Sequence, residues 1–259
     1  MSTGTDGRFT TDDGVEIVYT RWAGSDALPP VVLHHGFTGD AARDWVDTGV
    51  VGGLVAAGRT VVAHDARGHG RSGAPHRAEA YGEPRMGRDL GELIDALGVP
   101  AIDLIGFSMG AVTALAAATH EPRIRRLVVT GVGGRVAEPG QHDPGRTPPE
   151  ALAAALRATD PETVTDPRAR MFVDGLAGRD ADREALALVA LAMLTDPPPL
   201  EHITAPTLLV VGDADPLAQH PEVLAAAIPG ARLEVIAGDH GTAITNPRFL
   251  DLVLDFLGG

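Results

Sequence analysis

The 259-residue chain has no cysteine and no lysine, so its 21 basic side chains are all arginine. Without cysteine there can be no disulfide, thiolate nucleophile or Cys-ligated zinc, and nothing hints at an oxidising compartment. The missing lysine excludes a Walker A phosphate clamp, a Schiff-base enzyme and a Ser-Lys dyad. Basic charge is also scarce: 21 cations face 35 carboxylates, a formal net charge of -14, which argues against nucleic-acid partners and anionic membranes. Long apolar runs are absent too. The longest stretch free of Asp, Glu, Arg and His, Leu104 to Thr119, falls short of the roughly 18 residues a span needs, so no membrane crossing is expected. Met1 to Gly14 is polar and acidic with no apolar h-region, so it does not read as a signal peptide, and a cytoplasmic location is the default expectation.

With 44% hydrophobic residues the chain can bury one large core. Short β-branched runs (Val31 to Leu33, Thr60 to Ala63, Ile102 to Ile105, Leu127 to Thr130, Thr207 to Val211, Leu233 to Ile236) predict parallel strands buried on both faces. Gly14 to Trp22 alternates and predicts an edge hairpin with the residues before it. Helical patterns lie between, at Trp45 to Ala57, Pro84 to Leu97, Met109 to His120, Pro216 to Ile228 and Pro247 to Leu257. The order is that of an α/β, doubly wound, mostly parallel sheet, whose ligands bind beyond the carboxyl ends of the strands. From Val132 to about His202 the strand pattern stops, and Pro148, Pro149 and Pro197 to Pro199 bracket helical stretches at Glu150 to Thr159 and Arg183 to Leu194. This predicts a core of residues 1–131 and 205–259 with a small helical cap at 132–204, whose only aromatic, Phe172, implies a mainly aliphatic pocket.

The run Gly106-Phe107-Ser108-Met109-Gly110 follows a predicted strand and opens a predicted helix of small residues. With four Ser and 32 Gly in the chain, chance supplies roughly 0.06 such G-x-S-x-G matches. A Ser at the tip of so sharp a turn is strained, and Gly106 and Gly110 remove the side chains that would collide across it. A hydroxyl attacks only when a base takes its proton, and His240, in Ala237-Gly238-Asp239-His240-Gly241 at a strand end, is the best placed of ten histidines; His220 is its rival. The orienting acid is Asp213 or Asp215 in Gly212-Asp213-Ala214-Asp215-Pro216, although Asp215 before Pro216 also reads as a helix cap.

Acyl transfer needs two N–H groups at the developing oxyanion. Met109, at a helix start, supplies one, and Phe37 in His34-His35-Gly36-Phe37 the other, with His35 and Gly36 shaping the turn. Adjacent His34 and His35 face apart on extended chain with no carboxylate cluster beside them, which argues against a metal. Gly68-His69-Gly70-Arg71-Ser72-Gly73 matches G-x-G-x-x-G, but Pro75, Gly82 and Pro84 interrupt the helix a dinucleotide would need; a loop beside the site is expected instead.

Taken together, His35-Gly36-Phe37, Gly68-His69-Gly70-Arg71-Ser72, Gly106-Phe107-Ser108-Met109-Gly110, Gly212-Asp213-Ala214-Asp215-Pro216 and Asp239-His240-Gly241 resemble the α/β-hydrolase superfamily over nearly the whole chain, the cap being generic. The resemblance aligns Asp215 with the family's acid in its G-x-x-D pattern. Ser108 differs from the Asp nucleophile of epoxide hydrolases and haloalkane dehalogenases. The resemblance implies a serine hydrolase without cofactor, acting on a small carboxylic ester through Ser108, His240 and Asp215. Similar sequences also include lactonases, carbon-carbon bond hydrolases, thioesterases and cofactor-free haloperoxidases or perhydrolases, and a more distant reading is a non-catalytic ligand-binding member. An arginine in the pocket, with Arg71 and Arg135 as candidates, would favour a carboxylate-bearing ring-fission substrate. Activity is expected to rise as the imidazole loses its proton, around pH 6 to 7. Oligomeric state is not written in the sequence.

Overall fold

The computed structural model describes residues 3–25, 27–141, 147–193 and 197–258. Eight strands form one sheet: β1 (Thr5–Thr10), β2 (Glu16–Trp22), β3 (Val31–His34), β4 (Val61–His64), β5 (Ile102–Phe107), β6 (Ile124–Thr130), β7 (Thr207–Gly212) and β8 (Arg232–Ile236). Their order is β1-β2-β4-β3-β5-β6-β7-β8. β1 and β2 pair as the antiparallel edge hairpin, β2 runs antiparallel to β4, and every other pairing is parallel. The helices are α1 (Val50–Ala56), α2 (Glu83–Leu97), α3 (Met109–Ala118), α4 (Pro149–Arg157), α5 (Pro167–Asp174), α6 (Arg183–Ala192), α7 (Pro221–Ala227) and α8 (Pro247–Leu257). None is long and apolar enough to cross a membrane.

Strand alternation divides the core. Val32, Val62, Leu104 and Leu209 face α2, α3 and α7, whereas Val31, Leu33, Val61, Ile105 and Val210 face α1 and α8. With both faces covered, the central strands are buried throughout, which is why they read as unbroken apolar runs.

Two expected helices are shorter than their patterns. The stretch Trp45 to Ala57 is instead a π-helical turn, Ala42–Val46, followed by α1, because Gly49 takes a left-handed φ of 84° that ends one element before the next begins. The stretch Pro216 to Ile228 gives a turn and then α7: a proline at 221 bars His220 from right-handed helix, and His220 sits at φ 54°.

Between β6 and β7 lie α4, α5 and α6, packed with Phe37, Met86 and Met109 into a third apolar cluster over the carboxyl ends of the strands. The patterns expected at Glu150 to Thr159 and Arg183 to Leu194 correspond to α4 and α6; Leu194 itself lies outside the described residues. α5 was not expected, though Asp166-Pro167 is a cap signature, and the Asp166 carboxylate accepts the Ala169 N–H at 2.8 Å. These helices are tied to the loop after β3 from both sides. Arg179 donates to the Thr38 carbonyl and the Asp40 carboxylate, and Arg43 donates to the Gly175 carbonyl at 3.0 Å.

Candidate active site

The turn from β5 into α3 carries Ser108 at φ 54°, ψ -117°, a conformation that L-residues hold only when their surroundings enforce it. Enforcement comes from close packing. A Cβ on Gly106 would strike the Gly110 carbonyl, and one on Gly110 would strike the carbonyl oxygens of His34 and His35, so the turn is wedged between β3 and α3. Ser108 N–H donates to the Thr130 carbonyl at 2.9 Å, which ties the turn to β6 as well.

His240 follows β8 and brings Nε2 to 3.1 Å from Ser108 Oγ. Its Nδ1 faces Asp215, 2.9 Å from Oδ2 and 3.1 Å from Oδ1. The Asp215 side chain is 1% exposed and also accepts the Leu217 N–H at 2.8 Å, so one carboxylate stabilises its own turn and holds the imidazole. Because a carboxylate only accepts, Nδ1 carries the proton and Nε2 is left as the acceptor facing Ser108. Asp213 is exposed and accepts the Gly238 N–H at 3.1 Å, away from His240. His220 pairs with Glu222. Gly131, at the end of β6 with φ 70°, was not singled out in sequence; a Cβ there would press on His240 Cε1 and the Phe107 ring, and the left-handed turn was its only signal.

On the other side of Ser108, the loop after β3 is pinned residue by residue. His35 is fully buried; its Nε2 accepts the Ala66 N–H at 2.9 Å, so Nδ1 is the protonated nitrogen and donates to the Gly36 carbonyl at 2.8 Å. Gly39 N–H donates to that same carbonyl at 3.1 Å. With its C=O held twice, the Gly36–Phe37 peptide is fixed in plane and its N–H is polarised. Neither Phe37 N–H nor Met109 N–H donates to an acceptor among the described residues, and both residues line the cavity that Ser108 lines. Gly36 N–H is taken by Asp44 Oδ2 at 2.8 Å, and burial pushes the Asp44 carboxyl up from its ordinary value.

The Gly68–Gly73 segment is a loop beside this site. Asp65 organises it by accepting from the Arg71 N–H at 3.0 Å, and its His69 ring lies 5.0 Å from the His35 ring. His34 and His64 also meet edge to face, at 4.6 Å. Burial, followed by neighbouring imidazoles, holds His34 well below the ordinary histidine value and pushes His64 and His69 down to about 3. Arg71 points away from the cavity to Asp6 and Asp65, whereas Arg135 lines it.

A strained serine between a strand and a helix, joined to a histidine and a carboxylate from later strand ends, is the arrangement of one fold family, and the profile for the alpha/beta hydrolase fold matches residues 29–181. The chain belongs to the α/β-hydrolase fold family. Among its relatives in that family is a non-heme chloroperoxidase of Streptomyces lividans, 28% identical over 95% of this chain and 96% of the relative. Another is the sn-1-specific diacylglycerol lipase ABHD11 of Mus musculus, 28% identical over 92% of this chain and 84% of the relative. A hydrolase structure from Pseudomonas aeruginosa PA01 superposes with a TM-score of 0.80 and 28% identity, each chain covered in full.

Proposed function

We propose that this α/β-hydrolase cleaves small carboxylic esters through an acyl-enzyme on Ser108. In this reading Ser108 Oγ attacks the ester carbonyl while His240 Nε2 takes its proton, and the N–H groups of Phe37 and Met109 receive the oxyanion. His240 then passes the proton to the departing alcohol, Asp215 steadying the imidazolium, and water repeats the sequence on the acyl-enzyme. Residues 132–204 act as a cap over the acyl group. The observation that carries the reading is the unbroken hydrogen-bond chain from Ser108 Oγ through both nitrogens of His240 to Asp215. The lipase relative, whose substrate is an ester, supports it.

Arg135 on the cavity wall favours a second reading, in which the same triad hydrolyses a carbon-carbon bond or lactone bearing a carboxylate. Rates on p-nitrophenyl esters from acetyl to dodecanoyl, for the native protein and Ser108→Ala, test the first reading. A preferred chain length and a loss on the order of 10⁴-fold in the variant are expected. Absence of activity, or activity that survives the substitution, refutes it.

A further inference from the structure

Ser108 lines two cavities. Phe37 and Phe172, packed edge to face with ring centroids 5.4 Å apart, border both and divide them. The first, about 110 Å³, is walled by Val112, Val132, Val136, Leu152 and Met193. Glu83, Arg135 and Arg168 also line it, and each is already engaged by another group. The second cavity, about 320 Å³, has an apolar side of Phe107, Met171 and Ile244 and a polar side of Arg43, Asp44 and Thr48, with glycine backbone between them. Asp44 Oδ2 is occupied by the Gly36 N–H, while Oδ1 takes no hydrogen bond from the described residues and is the acceptor on the polar side of this cavity.

The direction of proton transfer assigns the two halves of an ester to these spaces. The base that protonates the departing alcohol must lie beside it, and His240 lines the second cavity but not the first. Met109, one of the two oxyanion donors, lines the first but not the second, which leaves the first for the acyl chain. By the volumes given above, the space left for the acyl chain is the smaller of the two.

Resting on the ester reading above, we propose that the enzyme selects esters of a short apolar acid with a larger, hydroxyl-rich alcohol, and that Phe172 sets the acyl length by closing the wall between the two cavities. Polyol or sugar monoesters of short-chain acids are the substrate class that fits.

The test is steady-state hydrolysis, followed in a pH-stat, of glucose 6-butanoate, cyclohexylmethyl butanoate, glucose 6-octanoate and glucose 6-hemisuccinate. The sugar butanoate should exceed the size-matched apolar ester by about tenfold or more in kcat/KM, and lengthening to octanoyl should cost about tenfold or more. Phe172→Ala should bring the octanoate within about threefold of the butanoate, and an octanoate penalty that persists overturns the role given to Phe172. Thr48→Val should raise KM for the sugar ester severalfold, and an unchanged KM overturns the assignment of the hydroxyl-rich half to the second cavity. Equal or better use of the apolar alcohol, of octanoate or of hemisuccinate by the native enzyme overturns this inference alone. Failure to hydrolyse any of the four overturns the ester reading and this inference with it.

Discussion

Acidification should destabilise this protein well above the range in which carboxylates titrate, because three imidazoles are buried without charge beneath the loop after β3. His34, His64 and His69 are 1%, 2% and 5% exposed, and their protonated forms are disfavoured by burial and then by neighbouring imidazoles, His35 among them for all three. A histidine whose folded pKa is depressed gives stability that is present above its unfolded value of about 6.5 and is lost as pH falls toward the folded value. At pH 5 the folded His64 and His69, with pKa values of about 3, are still neutral, while their unfolded counterparts are charged. Each then costs about 2 kcal/mol relative to neutral pH, a figure that requires only that the folded value lie well below 5. The pair costs about 4 kcal/mol and His34 adds to it, against a total stability on the order of 5–15 kcal/mol. Asp44 and Asp89, raised by burial, act in the opposite sense nearer the carboxylate range, so pH 5 is a better point of comparison than pH 4. Urea unfolding at pH 7.5, 6 and 5, followed by emission of the buried Trp45 and by circular dichroism, reads the loss directly. His64→Gln should recover about 2 kcal/mol of the difference between pH 7.5 and pH 5. A stability at pH 5 within about 1 kcal/mol of that at pH 7.5 would refute neutral burial of the cluster.

Two further substitutions separate roles that the sequence leaves open. Asp215→Asn should lower kcat by on the order of 10⁴-fold with little change in KM, while Asp213→Asn should change it by less than about threefold; equal effects would mean that the carboxylate facing His240 is not the one that orients it. Gly110→Ala should destabilise by about 3 kcal/mol or more, since its Cβ would lie inside contact distance of the His34 and His35 carbonyls, whereas Gly52→Ala, in open space on α1, should be neutral or stabilising by up to about 1 kcal/mol. Thermal melts of the two variants decide the point, and a stable Gly110→Ala protein would show that the turn can yield.

Much of this was legible because its causes are local. Five strands, β3 to β7, announced themselves as apolar runs, whereas β8, read as buried on both faces, is an edge strand on which only Ile236 is buried; Gly106, Ser108 and Gly110 marked the strand–turn–helix by local pattern, although β3 and β6 hold it in place. What stayed hidden depended on partners distant in sequence. Asp213 and Asp215 are equivalent as a pattern two residues apart; only the packing of β7 beside β8 aims one at His240 and the other at the Gly238 amide. The part played by Gly131 shows only once the ring of His240 lies against it. The π-helical turn at Ala42–Val46 carries helix-forming residues on both sides of Gly49, so hydrophobic period alone joined what backbone sign divides.

The crossed arginine ties between the β6–β7 helices and the loop after β3 bear on how such a protein could be rebuilt. Arg179 reaches down to Thr38 and Asp40, and Arg43 reaches up to Gly175, so Thr38, itself at φ 59°, takes part of its support from a segment about 140 residues away in sequence. Exchanging those helices for another set to alter selectivity would therefore also remove a brace from the peptide that follows the Phe37 amide. A chimera that keeps Arg179 and the Gly175 carbonyl in register has reason to retain turnover. One that replaces them would be expected to bind a new acyl group and still be slow, its defect lying in the scaffold beneath the exchanged part.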